Sequence, residues 1–165
     1  MNKSNTAIIN VTQNNTNTKN AGNITTTKNN NTSRASKMED INKWEISIPT
    51  IDLCAPISEG TSTEVMDQYV GHFENTNYWE GNVALAAHNR GYRVNHFANI
   101  KNLKKGDLIQ YYYKGNLKQY KVEIVTVIKD TDWTYLENTQ DNRITLITCV
   151  EDEPEYRRCI QGIEI

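Results

Sequence analysis

The sequence predicts an all-β fold, a barrel or a sandwich, on three observations. Apolar residues beyond position 40 fall into six or more runs of strand length. Several of these runs alternate with period two, the repeat of a strand and not of a helix. Turn signals built on Gly, Pro and Asn separate them and leave little room for helix. In order along the chain, residues 44–48 (Trp-Glu-Ile-Ser-Ile) alternate strictly and stop at Pro49, as expected of a first strand. A second run covers 51–54 and stops at Ala55-Pro56. Thr61 with Glu64 three residues on has capping-box spacing, which predicts a short helix over 62–68 with Thr61 as N-cap, ending before Gly71. Residues 82–87 are a compact apolar run with His88 at its end, and Asn89-Arg90-Gly91 is a loop signal. Residues 96–103 suit a turn or two of helix before Lys104-Lys105-Gly106-Asp107 breaks it. Residues 108–113 and 117–128 read as a hairpin about Gly115-Asn116, and 144–149 and 156–165 supply the last two strands. No internal repeat is visible.

The chain divides in two by composition. Residues 1–40 hold 11 Asn and 8 Thr and no aromatic residue. Such a stretch buries too little apolar surface to offset the entropy of ordering it, so it reads as a disordered linker. Residues 41–165 then form one folding unit, long enough for a single core. With 18 basic and 20 acidic residues the net charge is −2, and no basic stripe marks a nucleic-acid surface. No apolar run of about 18 residues exists to span a membrane, and residues 7–10 are too short and polar for a signal peptide. Cys54, Cys149 and Cys159 are odd in number and lack zinc-like spacing, which argues against a disulfide framework or a metal site. No cofactor is implied.

Three side chains are candidates for chemistry. In Thr145-Leu146-Ile147-Thr148-Cys149 the alternation puts Thr145, Ile147 and Cys149 on one face, with the thiol at the strand's end. After an acidic turn over 150–155 the chain returns antiparallel, bringing Arg157 or Arg158 near Cys149. A nearby cation lowers a thiol's pKa and makes it a nucleophile; the structural alternative is a small buried hydrophobe at a strand end. His88, also at a strand end, suits a general acid and base, or else is a satisfied structural histidine. His72 and His96 lie in polar surroundings and read as surface residues.

Ala86-Ala87-His88-Asn89, Thr145-Leu146-Ile147-Thr148-Cys149 and Arg157-Arg158-Cys159-Ile160-Gln161-Gly162 resemble the three signature stretches of sortases, cysteine transpeptidases that attach surface proteins to the wall of Gram-positive bacteria. The resemblance covers about residues 44–165, including 48–57, 59–62 and 97–106 in the right order. It implies an eight-stranded β-barrel with one or two short helices. It also implies roles: Cys149 as the nucleophile that attacks the Thr–Gly carbonyl of an Leu-Pro-x-Thr-Gly-like sorting signal, and His88 as general acid and then base. Arg157, five residues before Gly162, would be the oxyanion donor, with Arg158 turned to the opposite face. Ala86, Thr145 and Ile147 would line the substrate pocket, Ala87 replaces a frequent Gly, and Cys54 and Cys159 would be structural.

Partners implied by the resemblance are proteins bearing the sorting signal and a cell-wall amine acceptor. The expected location is the extracellular face of the membrane, through an anchor absent from this chain, with residues 1–40 as the linker. The short gap between 128 and 144 leaves no room for the helical insert of class B, and no Asp-Pro-aromatic lid of class C is present. Class D, or a relative of classes A and E, remains, with class D favoured. The acidic residues Glu151, Asp152, Glu153 and Glu155 read as a solvated turn, or as an attractor for the amine acceptor or a cation. Two other functions stay open at this point, a hydrolytic cysteine protease of the same fold and a non-catalytic β-barrel binding module.

Overall fold

The computed structural model describes residues 41–165; the reading of 1–40 as a disordered linker lies outside the described residues. Eight strands close into a barrel: β1 (Trp44–Ile48), β2 (Leu53–Glu59), β3 (Val70–His72), β4 (Asn82–Ala86), β5 (Leu108–Tyr113), β6 (Asn116–Lys129), β7 (Arg143–Val150) and β8 (Glu153–Glu164). Around the wall the order is β1-β2-β3-β4-β7-β8-β6-β5, and β1 pairs antiparallel with both β2 and β5, which leaves no free edge. Two pairings are parallel, β2 with β3 and β4 with β7. Parallel neighbours need a crossover; the first carries the one-turn helix α1 (Thr63–Met66), the second the long excursion through β5 and β6.

Strand alternation sends one face of each strand inward. Ile46 and Ile48, Val83 and Leu85, Ile109 and Tyr111, Tyr120 and Val122, and Ile144 and Leu146 meet in one core. The segment that the sequence assigns to a turn or two of helix holds only a 3-10 turn, Ile100–Asn102, and its Phe97, Ile100 and Leu103 pack into the same core. The β5–β6 hairpin turns at Lys114-Gly115, where both residues have positive φ, as a two-residue turn between twisted strands requires.

Several expectations are corrected. β2 does not stop at Ala55-Pro56 but runs through it to Glu59. Pro56 precedes the first β2–β3 pair, Ile57 with Val70, and so sits outside that ladder. The helix is capped by Ser62, whose Oγ accepts from the Val65 N–H at 3.4 Å, and not by Thr61. β3 itself, only three residues long, has no counterpart in the sequence reading. Its His72 is fully buried, not a surface residue: Nδ1 meets Glu59 at 3.0 Å, Nε2 meets the Asn77 carbonyl at 3.1 Å, and the ring stacks on Tyr78. His96 is half-buried, with Nε2 3.2 Å from the Gln68 carbonyl.

Candidate active site

The parallel pair β4–β7 sets the site. Ala86 is level with Ile147, so His88 and Cys149, each two residues further on, emerge side by side at the same end of the wall. The segments are stitched beyond the ladder: Thr148 Oγ1 donates to the Ala87 carbonyl at 2.7 Å, and Asn89 Nδ2 donates to the Cys149 carbonyl at 2.8 Å. β8 returns antiparallel along the other side of β7, with Arg157 opposite Cys149 and Arg158 opposite Thr148. Cross-strand partners share a face, so Arg157 stands on the side of the thiol and Arg158 on the side of the buried Thr148.

These side chains surround a cleft of about 260 Å³ on the outer wall. Ala86, Ile147, His88, Cys149 and Arg157 line it on the barrel side, and Trp133, Tyr135 and Leu136 from the β6–β7 connection form the facing wall. That connection holds only a 3-10 turn, Thr134–Leu136. Thr145 is not in the lining. It shares the outer face with Ile147 and Cys149 as the alternation required, but the facing wall folds over it and buries it completely. Its Oγ1 donates to Asn82 Oδ1 at 2.7 Å and accepts from Gln161 Nε2 at 3.0 Å. Asn82 in turn donates through Nδ2 to the carbonyls of Tyr135, at 2.8 Å, and Glu137, at 3.0 Å. Thr145 thus belongs to the hydrogen-bonded base that holds the cleft wall.

The His88 ring is buried. One face is covered by Tyr92, stacked with centroids 3.5 Å apart and planes at 5°. Nε2 faces Asp67 Oδ1 at 3.8 Å, and neither atom has a hydrogen-bond partner. Loss of water around the ring lowers the imidazole pKa, and the Asp67 charge opposes that shift. Cys149 is exposed at its strand end. The Arg157 guanidinium donates from Nη1 to the carbonyls of Pro154, at 2.6 Å, and Tyr156, at 2.8 Å, while Nη2 lies 3.8 Å from Asp130. The β7–β8 register shifts between Cys149 and Val150, which leaves Pro154 and Tyr156 without partners on β7.

Two of the four acidic residues of the turn are paired. Glu151 pairs with Lys101 Nζ at 3.1 Å, and Asp152 with Arg90 Nη2 at 2.6 Å. The other two thiols differ. Cys54 is exposed on β2, and Cys159 is buried in β8, where desolvation pushes its pKa up to about 12. Among the described residues no three His, Cys, Asp or Glu side chains are grouped as metal ligands would be. Asp67, Tyr92, Asn82 and the 133–136 wall escaped the sequence reading. Asn82 alone carried a signal, a polar residue heading an apolar strand.

Fold and site together define a closed β-barrel with a Cys–His–Arg cleft on its outer wall. A family model described as the Sortase domain matches residues 46–162. The chain belongs to the sortase family. It is 34% identical over 116 residues to "Sortase A" of Bacillus anthracis, a match covering 70% of this chain and 55% of that one. It is 31% identical over 109 residues to "Sortase A" of Staphylococcus aureus, covering 63% and 53%. The chain therefore spans about half the length of the curated relatives it matches. Among solved structures, the lid mutant of sortase A from Corynebacterium diphtheriae superposes with a TM-score of 0.70 at 26% identity, covering 74% of this chain and 69% of that one. The pilus-related sortase C of Group B Streptococcus does so with a TM-score of 0.70 at 27% identity, covering 76% and 68%.

Proposed function

We propose that this chain is the catalytic domain of a cysteine transpeptidase acting on sorting-signal proteins at the cell surface. Cys149 Sγ attacks the Thr carbonyl of an Leu-Pro-x-Thr-Gly-like segment; the S–C bond forms, the Thr–Gly C–N bond breaks, and His88 delivers a proton to the departing amine. A cell-wall amine then loses its proton to His88, attacks the thioester and releases the thiolate. Arg157, the cross-strand partner of Cys149, stabilises the oxyanion in both steps once its guanidinium leaves the Pro154 and Tyr156 carbonyls. The apolar Ala86 and Ile147 suit the uncharged side chains of the signal.

One observation carries this reading: the β4–β7 register, which levels Ala86 with Ile147 and so sets an imidazole beside an exposed thiol at the mouth of a cleft. The burial of His88 fits a general acid whose protonated form is scarce at neutral pH, and hence a slow enzyme. Incubation with an Leu-Pro-x-Thr-Gly peptide library and a glycine-based amine, read by mass spectrometry, tests it. Loss of the residues after Thr with the amine joined on, absent in Cys149→Ala, is the expected result. Cleavage with no amine joined would make water the acceptor, and no thioester with any peptide would overturn the reading.

A further inference from the structure

We propose that Asp67 is a positioning residue for His88, holding the imidazole through Nε2 so that Nδ1 is the nitrogen that exchanges protons in the cleft. The two atoms facing each other across 3.8 Å, Asp67 Oδ1 and His88 Nε2, are both buried and both without a hydrogen-bond partner. Buried polar atoms left unpaired are costly, and native folds rarely keep two in register by accident. Closing the gap by about 1 Å reaches hydrogen-bond distance. The motion is local, because Asp67 sits in the C-cap of the one-turn helix α1 and is bound to it only through its backbone. Tyr92 stacks on the ring face and restricts its tilt, which leaves rotation in the ring plane for the carboxylate to fix.

The pairing has a chemical consequence at the step where His88 carries a proton. The other charged or titratable groups around the cleft are Cys149 on β7, Arg157 on β8, Lys129, Asp130 and Asp132 at the end of β6 and beyond, and Tyr135 in the facing wall; Tyr92 lies on the loop that follows His88. Of the carboxylates, Asp67 is the one in contact with the ring. It favours the imidazolium against the desolvation that disfavours it, and so keeps a larger fraction of His88 ready to protonate the leaving amine. The catalytic use of this rests on the transpeptidase reading; the pairing itself does not.

The test is a titration of the His88 ring protons by NMR in the parent chain and in Asp67→Asn, with His72 and His96 as internal references. The midpoint falls by about one unit in Asp67→Asn. The acid limb of kcat/KM moves down with it, and kcat/KM above that limb drops about tenfold, one pKa unit being a factor of ten in the protonated fraction. Asp67→Glu restores part of both. Thermal unfolding of each variant checks that it folds, and Asp67→Ala replaces Asp67→Asn if the latter does not. A His88 midpoint within about 0.2 units of the parent in a folded variant overturns the proposal. A midpoint that falls in a chain with no transfer activity upholds the pairing and sinks the transpeptidase reading.

Discussion

Arg157 and Arg158 are neighbours in sequence and face opposite ways, because alternation and the β7–β8 register assign one to Cys149 and the other to Thr148. Removing an oxyanion donor costs about 100- to 1000-fold in kcat, so Arg157→Ala is expected to lose about that much transfer activity, and Arg158→Ala only a few-fold. Arg157→Lys should rescue little, since a lysine lacks the planar fork. If Arg158→Ala abolished transfer while Arg157→Ala kept it, the assignment would be reversed. At this scale the sequence was informative where position along a strand decides the outcome. His88 and Cys149 stand at strand ends, and Arg157 lies across from Cys149 on the returning strand, which local pattern reveals. Thr145 was put on the correct face but not at the correct depth, because alternation says nothing about the 133–136 wall that covers it. Asp67 left no trace, since its partner is brought to it by the fold.

The elements were legible in proportion to their length and regularity. β1, β4, β5, β6 and β7 came through within a residue or two, because long alternating or apolar runs bounded by Gly and Pro have few other readings. β3, with the sequence Val-Gly-His, is too short to show a period, and its burial depends on neighbours distant in sequence. Gly71 shows how tight that site is, for a Cβ there would run into the Gly60 carbonyl. Gly71→Ala is expected to lower stability by about 1–3 kcal/mol, read as a reduced urea midpoint. A second prediction concerns the wall of the cleft, which hangs on Asn82. Asn82→Ala takes the side-chain donor from the Glu137 carbonyl and leaves the Tyr135 carbonyl and the Thr145 hydroxyl only their longer bonds to each other and to Gln161, at a cost of about 1–3 kcal/mol. The loosened wall should raise KM for the peptide more than it lowers kcat. An unchanged KM would mean that the wall does not contact substrate.

For the whole molecule, the pH range of stability follows from the groups the barrel encloses. His88 has its pKa lowered by burial, so its contribution is complete above the unfolded value of about 6.5 and is lost as pH falls through the folded value. Asp141, held low by Arg143, loses its contribution in the same direction at more acid pH. On the alkaline side the signs reverse. Cys159 is pushed up to about 12, and the phenols of Tyr111 and Tyr120 are raised too, all by burial. Each favours the folded chain fully below its unfolded pKa, and that contribution is lost as pH rises through the folded value. Tm should therefore be flat between about 6.5 and 8.5 and fall on both sides. The two tyrosines separate burial from bonding. Tyr111 Oη donates to the Tyr78 carbonyl at 2.7 Å and accepts from Trp44 Nε1 at 2.9 Å, whereas Tyr120 Oη is buried with no partner. Tyr111→Phe leaves those groups unpaired and should cost about 1–2 kcal/mol at neutral pH. Tyr120→Phe removes an unsatisfied hydroxyl, and should leave Tm unchanged or raise it while reducing the alkaline fall. A loss of stability in Tyr120→Phe as large as that in Tyr111→Phe would mean that its hydroxyl is satisfied in solution after all.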